Sequence, residues 1–281
     1  MSPAINLREA VGQLDTLPAM PQIAQKILAL DLDSEKGEQE LVRLIEQDPQ
    51  ISARLIGMAN SAAYGATRRI TSALEAIVLI GLIRTRSVAL SIALMSSLVG
   101  QHKGKLDKQR LWVHGFGIAT IMRIIASHMK RAVRPNDEEL HLAGMLHDIG
   151  FMVLEHIAPE LSDTLHTQLE AQPERPVTEV EAEVIDVGHA ELGAELARQW
   201  NLPEEVVSVL RYHHRPYDQA AEVAWPLANL VHLSEKLMPS YGMTEFVVPE
   251  IAPSEWEAIG IEPEDAEAVV LQVHEVIATL G

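Results

Sequence analysis

TSALEAIVLIGLIRTRSVALSIALMSSL, residues Thr71 to Leu98, repeats its apolar side chains at intervals of three and four. That spacing gathers them on one flank of an α-helix. The same period runs through MPQIAQKILAL (Met20 to Leu30) and EQELVRLIEQDPQISARLIGMAN (Glu38 to Asn60), and no stretch alternates convincingly in the manner of a half-buried strand. The expected fold is all-α. Local signals agree: Thr71 or Ser72 can cap the segment that contains Glu75, and Pro203 followed by Glu204 and Glu205 suits a first helical turn. Asp48-Pro49 reads as a helix break, Asn60 and Ser61 as polar groups that bond local backbone near a helix end, and Gly65 as a turn former.

Polar GQHKGKLDKQ, Gly100 to Gln109, interrupts the helical pattern before RLWVHGFGIATIMRIIASHM resumes it. Its glycines and charges make it the best candidate boundary. Two lobes are expected on this basis, residues 1–105 and 106–240, with 241–281 as a helical extension. A second loop is expected at EAQPERPVTEVE (Glu170 to Glu181), and the acidic, proline-containing segment beyond Met238 leads to a last helix. No internal repeat is evident.

Composition excludes several classes of function. The 281 residues contain no cysteine, which rules out disulfides, thiolate catalysis and cysteine-ligated metal, so any metal chemistry must use histidine and carboxylates. Forty acidic against 22 basic side chains give a net charge of −18, and aromatics make up only 4%; both features argue against direct nucleic-acid binding and favour a partner with a basic patch. No apolar run is long enough to suggest a membrane span, and MSPAINLREA lacks the basic and apolar regions of a signal peptide. A cytoplasmic location is expected.

HLAGMLHDIGFMVLEH, His141 to His156, sets a His-Asp pair in an apolar segment. Alone, such a pair is most simply an interhelical hydrogen bond. It stands in a series, however: His114 in LWVHGFGIA, His147-Asp148, His189 in VGHAELGAELA, His213-His214 in RYHHRP, and Glu235 in ANLVHLSEKL. Successive helices of a bundle can each send one ligand to a common point, and neighbours about 100° apart on one helix both serve that point only if they flank something central, such as a metal ion. His102, His128, His156, His166 and His274 lie near helix ends or among polar neighbours, where solvated imidazole is the default.

This ordered series, together with LPAMPQIAQKIL, DPQISARLIGMANSAAYG, LAGMLHDIG and GHAELGAELARQWNLPEEVVSVLRYHH, resembles the HDOD family, the HD-related output domains of bacterial signalling proteins within the HD superfamily of metal-dependent phosphohydrolases. The resemblance implies that His114, His147 and Asp148 ligate one metal, with Asp148 able to bridge two, and that His189, His213 and His214 ligate a second. It places Glu235 where the superfamily has an aspartate. Phe151 occupies a position near which hydrolytic relatives with the HD-GYP signature carry a phosphate-holding lysine, and RPYDQA replaces their Gly-Tyr-Pro element. A mixed histidine and carboxylate set suits iron, manganese, nickel or zinc better than magnesium. Two readings follow: a signalling module that contacts a partner protein or ligand and retains a degenerate metal site, which is favoured, and a metal-dependent phosphohydrolase acting on a nucleotide or cyclic dinucleotide, in which Asp148 would hold the catalytic ions. No phosphodiesterase activity is expected on the favoured reading.

Overall fold

In the computed structural model, residues 17–61, 64–100, 102–218, 220–221, 225–238 and 248–278 are described. Among them there are helices and no strands. The N-terminal stretch read for a signal peptide lies outside the described residues. Among the described residues no helix is long and apolar enough to cross a membrane.

The first half holds α1 (Gln22–Leu28), α2 (Glu35–Gln47), α3 (Pro49–Ala59), α4 (Ala73–Ile80) and α5 (Leu82–Ser96). Asp48 divides α2 from α3. Its Oδ1 accepts from the backbone N–H groups of Gln50 and Ile51 at 2.9 and 3.0 Å, while Pro49 fills a first-turn position where no N–H is needed. Asn60 does more than finish α3: its amide donates to the carbonyls of Ile56 and Ile70 and its Oδ1 accepts from the Ile70 N–H, each at 2.8 Å. One side chain thus clamps the loop that turns at Gly65. Ser72 caps α4 by accepting from the Glu75 N–H, and Thr71 donates its backbone N–H back to the Glu75 carboxylate at 2.9 Å.

The second half opens with the longest helix, α6 (Lys108–His128), capped by Asp107. It continues through α7 (Asp137–Leu146), α8 (Ile149–Ile157), α9 (Pro159–Ala171), α10 (Val177–Val184), α11 (His189–Gln199), α12 (Glu204–Tyr212) and α13 (Leu227–Leu237). Short α14 (Pro253–Ala258) and α15 (Ala266–Ile277) close the chain. Helix begins at Val177, so the second expected loop is shorter than predicted, and Glu181 stands inside α10 rather than in a connection. The two prolines at 173 and 176 end the loop because the second precedes a helical turn, where its fixed φ fits.

One apolar cluster draws on both halves, from Leu17, Leu41 and Leu90 to Phe116, Phe151 and Leu210. A second joins the later part of α6 (Ile121, Ile125) to Val231 on α13 and to Trp256, Ile259, Val269 and Val273 of the C-terminal helices. Charged pairs tie the halves near the surface, Arg84 to Asp137 at 2.8 Å and Arg86 to Glu138; within the second half, Lys108 reaches the buried Glu155 at 2.5 Å.

Candidate metal centre

The His-Asp pair does not sit on one continuous helix. Helix α7 ends at Leu146 and α8 begins at Ile149, with His147 as the C-terminal cap of the first and Asp148, at φ −99° and ψ 11°, as the joint between them. This break corrects the expectation of two neighbours diverging around one cylinder. It lets both side chains turn inward. Gly150 makes the joint possible: a Cβ there would stand 1.8 Å from the carbonyl oxygen of His189, because the first turn of α8 lies against the start of α11.

The other six predicted residues meet around Asp148. Its Oδ2 is 3.1 Å from His147 Nε2 and 3.5 Å from His114 Nε2. Its Oδ1 is 3.4 Å from His189 Nε2 and 3.6 Å from His213 Nε2. Glu235, sent from α13, brings Oε1 to 3.1 Å from His114 Nε2 and 3.0 Å from His147 Nε2, so the longer side chain still reaches the cluster. His214 Nε2 lies 3.1 Å from His189 Nε2. None of His114, His147, Asp148, His189, His213 and Glu235 is more than 8% exposed.

Which ring nitrogens face inward is settled by their outer partners. His147 Nδ1 lies 2.8 Å from the Gly144 carbonyl and His213 Nδ1 lies 2.9 Å from the Leu210 carbonyl. A carbonyl only accepts, so each Nδ1 carries a proton and each ring turns Nε2 toward the cluster, a bare lone pair whenever the ring is neutral. His189 is fixed in the same sense by Glu181, whose Oε1 is 2.7 Å from Nδ1 and accepts the His189 backbone N–H at 2.8 Å. Outward anchoring of this kind is how metal-ligating histidines are oriented. Sequence reasoning missed Glu181.

The donor set fits a cation. His147 Nε2 and both Asp148 oxygens are enclosed without a well-formed hydrogen bond, and His189 and His213 point two nitrogens at each other at 3.2 Å. Two bare lone pairs at that distance repel unless a proton or an ion lies between them. Donors about 2.1 Å from a shared ion stand roughly 3.0 to 3.4 Å apart for right-angled or tetrahedral arrangements, close to the separations here. Two groups meet the geometric requirement, Asp148 with His189, His213 and His214, and His114 with His147 and Asp148. The buried His/Asp cluster can therefore hold a metal on either side of Asp148.

Electrostatics within the cluster point the same way. Burial works against the charged forms of His147 and His189, but Asp148 with Glu235 for the first and Glu181 with Asp148 for the second hold both well above the ordinary histidine value. Asp148 is held well below its usual range, against burial, by His147, His189 and His213, and Glu235 is lowered to about 2, against burial, by His114 and His147. Burial pushes His213 and His214 down, His214 strongly. Without an ion, the carboxylates retain positive charge on the nearby rings; a divalent cation would supply that charge directly.

Phe151, 1% exposed, lies nearly parallel to the His189 ring, 17° between planes and 4.2 Å between centroids. Its other neighbour is His166, 5.5 Å away, which is not solvated as expected: it is 8% exposed and donates from Nδ1 to the Ser162 carbonyl at 2.8 Å. One helical turn separates the two residues, so the bond satisfies the ring locally.

Compared with known proteins, residues 17–216 match the family model of the HDOD domain. The chain belongs to the HDOD family. A protein of uncharacterised function from Treponema pallidum (strain Nichols) is 29% identical over 225 residues, 79% of this chain and 42% of that protein. Among solved structures, a candidate signal transduction protein from Marinobacter aquaeolei VT8 is similar over 98% of this HDOD chain and 62% of its own, with a TM-score of 0.78 at 25% identity. A candidate phosphohydrolase from Shewanella amazonensis SB2B shares the fold with a TM-score of 0.69 at 22% identity, over 97% and 98% of the two chains. This HDOD chain spans less than half of the Treponema protein and under two thirds of the Marinobacter one.

Proposed function

We propose that this HDOD protein is a regulatory module of bacterial signalling in which His114, His147, Asp148, His189, His213, His214 and Glu235 hold divalent metal in a closed pocket, and in which phosphoester hydrolysis has been lost. The observation that carries this reading is Phe151 lying flat on His189. Phosphoryl transfer needs cationic groups and donors aimed at the phosphate oxygens. Here the wall beside the second donor group is a buried aromatic ring that can donate nothing. The metal would be iron, manganese, nickel or zinc, given the imidazole-rich donor set. The first half supplies surface for a signalling partner in the cytoplasm, and the net charge of −18 favours one with a basic patch.

Metal analysis of the purified protein, followed by a screen of phosphodiesters and phosphomonoesters with manganese, iron or magnesium, tests the proposal. Bound metal without turnover is the expected result. Metal-dependent turnover overturns it in favour of the second reading, a phosphohydrolase. That reading draws support from the two donor groups meeting at opposite oxygens of Asp148. In a hydrolase of this type the ions would acidify a water and polarise a phosphoryl oxygen, while Asp148 and the anchored histidines keep the donors in place.

A further inference from the structure

Away from the histidine cluster, a small pocket opens between the two halves of the molecule, lined by Tyr64 and Arg84 from one half and by Thr120, Arg123, Asp137 and His141 from the other. Its polar groups are conspicuously unspent. Arg123, half-buried on α6, makes no hydrogen bond or ion pair with any described residue, although burial opposes its charge and Arg84 adds to the repulsion. Tyr64 stacks on Phe116 with centroids 6.3 Å apart, and its hydroxyl is likewise without a partner among the described residues. His141 Nε2 is fully enclosed with no hydrogen bond. The other polar groups of the lining are engaged, Arg84 and Asp137 with each other at 2.8 Å and Thr120 with the Phe116 carbonyl at 2.8 Å.

The charges do not balance. Arg84, Arg123 and Arg134 gather around the single carboxylate of Asp137, with Arg134 3.7 Å from its Oδ1. This excess of positive charge stands in a chain of net charge −18, so it is a local feature and not a reflection of composition. Water can satisfy an imidazole nitrogen or a phenol, but it does not neutralise a half-buried guanidinium. A planar fork of N–H donors with a phenol beside it matches an oxyanion.

We propose that this pocket binds a small oxyanion, a phosphate or carboxylate group either free or carried on a metabolite, held by Arg123, Arg84, Tyr64 and His141. Tyr64 closes the Asp48–Gly65 segment, whose polar residues have no part in the metal cluster. The anion would rest on α6, which carries His114, and on α7, which runs into His147. The two sites share helices but no residue, so this inference does not rest on the metal reading.

The test is calorimetric titration of the full chain, treated with chelator so that anion held by metal does not contribute. Orthophosphate, citrate and adenosine monophosphate are titrated separately in phosphate-free buffer. Saturable binding is expected from at least one, with affinity falling about tenfold in Arg123→Gln and unchanged in Arg131→Gln, an exposed arginine outside the pocket. Equal binding of orthophosphate and the nucleotide identifies the free ion as sufficient; tighter nucleotide binding assigns a phosphate monoester, and binding of citrate alone a carboxylate. Tyr64→Phe keeps the ring on Phe116 and removes only the hydroxyl; it is expected to weaken binding and decides the matter if Arg123→Gln does not fold. No saturable binding of any of the three anions, or affinity unchanged in the folded pocket variants, overturns the proposal.

Discussion

Asp148 is surrounded by four imidazole nitrogens within 3.6 Å, so its removal leaves lone pairs and positive rings with nothing between them. Asp148→Ala is expected to lower stability by about 1–3 kcal/mol, the cost of unsatisfied buried groups, and to abolish bound metal. Thermal melts with and without chelator check this; an unchanged melting temperature would mean that the carboxylate is solvated. Glu181→Gln should leave the fold intact while weakening metal binding about 10- to 100-fold, read by competition with a chelating dye, because it takes the negative charge from the outer nitrogen of His189. The seven inward groups were legible as a spaced series because each stands in an apolar context. Glu181 was not. Its meaning lies in a contact across eight residues and a change of helix, and prolines nearby made its segment read as loop. His141 yields a pH prediction. Burial, with Arg123 and Arg84, pushes it down to about 3 from an ordinary 6.5. Between those values the unfolded chain takes up a proton that the folded chain refuses, so stability falls as pH drops through that window and is unaffected above it. Denaturant titrations from pH 7 to pH 4 should show this slope reduced by one proton in His141→Gln.

At the scale of helices, the joint between α7 and α8 decides whether the cluster forms. Gly150→Ala forces a methyl group against the His189 backbone, which neither helix can avoid without separating. The expected outcome is a destabilised protein that binds metal poorly, measured by melting temperature and metal content. A variant with unchanged metal content would show that α11 can shift without disturbing His189. The helices themselves were readable because the 3.6-residue period is written in apolar side chains, and caps such as Asp48 and Ser72 act through neighbours only two or three residues away. The break at Asp148 was not readable, since no proline stands between Leu142 and Ile149 and the one glycine there, Gly144, lies inside α7; the chain bends at Asp148 through contacts between distant segments.

Across the whole molecule, the C-terminal helices are part of the site's support. Trp256, Ile259, Val269 and Val273 are each no more than 4% exposed against α6 and α13, and Lys236, next to Glu235, reaches Glu255 at 2.7 Å. Burial of four such side chains contributes roughly 6–12 kcal/mol at about 1.5–3 kcal/mol each, comparable to the entire stability of a domain. Ending the chain at Met238 is therefore expected to give an insoluble or partly folded product, judged by circular dichroism and gel filtration. The enclosure of the cluster also sets a clock. Six of the seven donors are at most 8% exposed and only His214 is half-buried, so a chelator cannot reach an ion held between Asp148 and the buried rings until the helices part. The rate of metal loss should rise with chelator concentration and then level off at the opening rate of the protein, and Phe151→Ala should raise that ceiling. A loss rate that stays proportional to chelator at every concentration would mean that the ion is reached from outside.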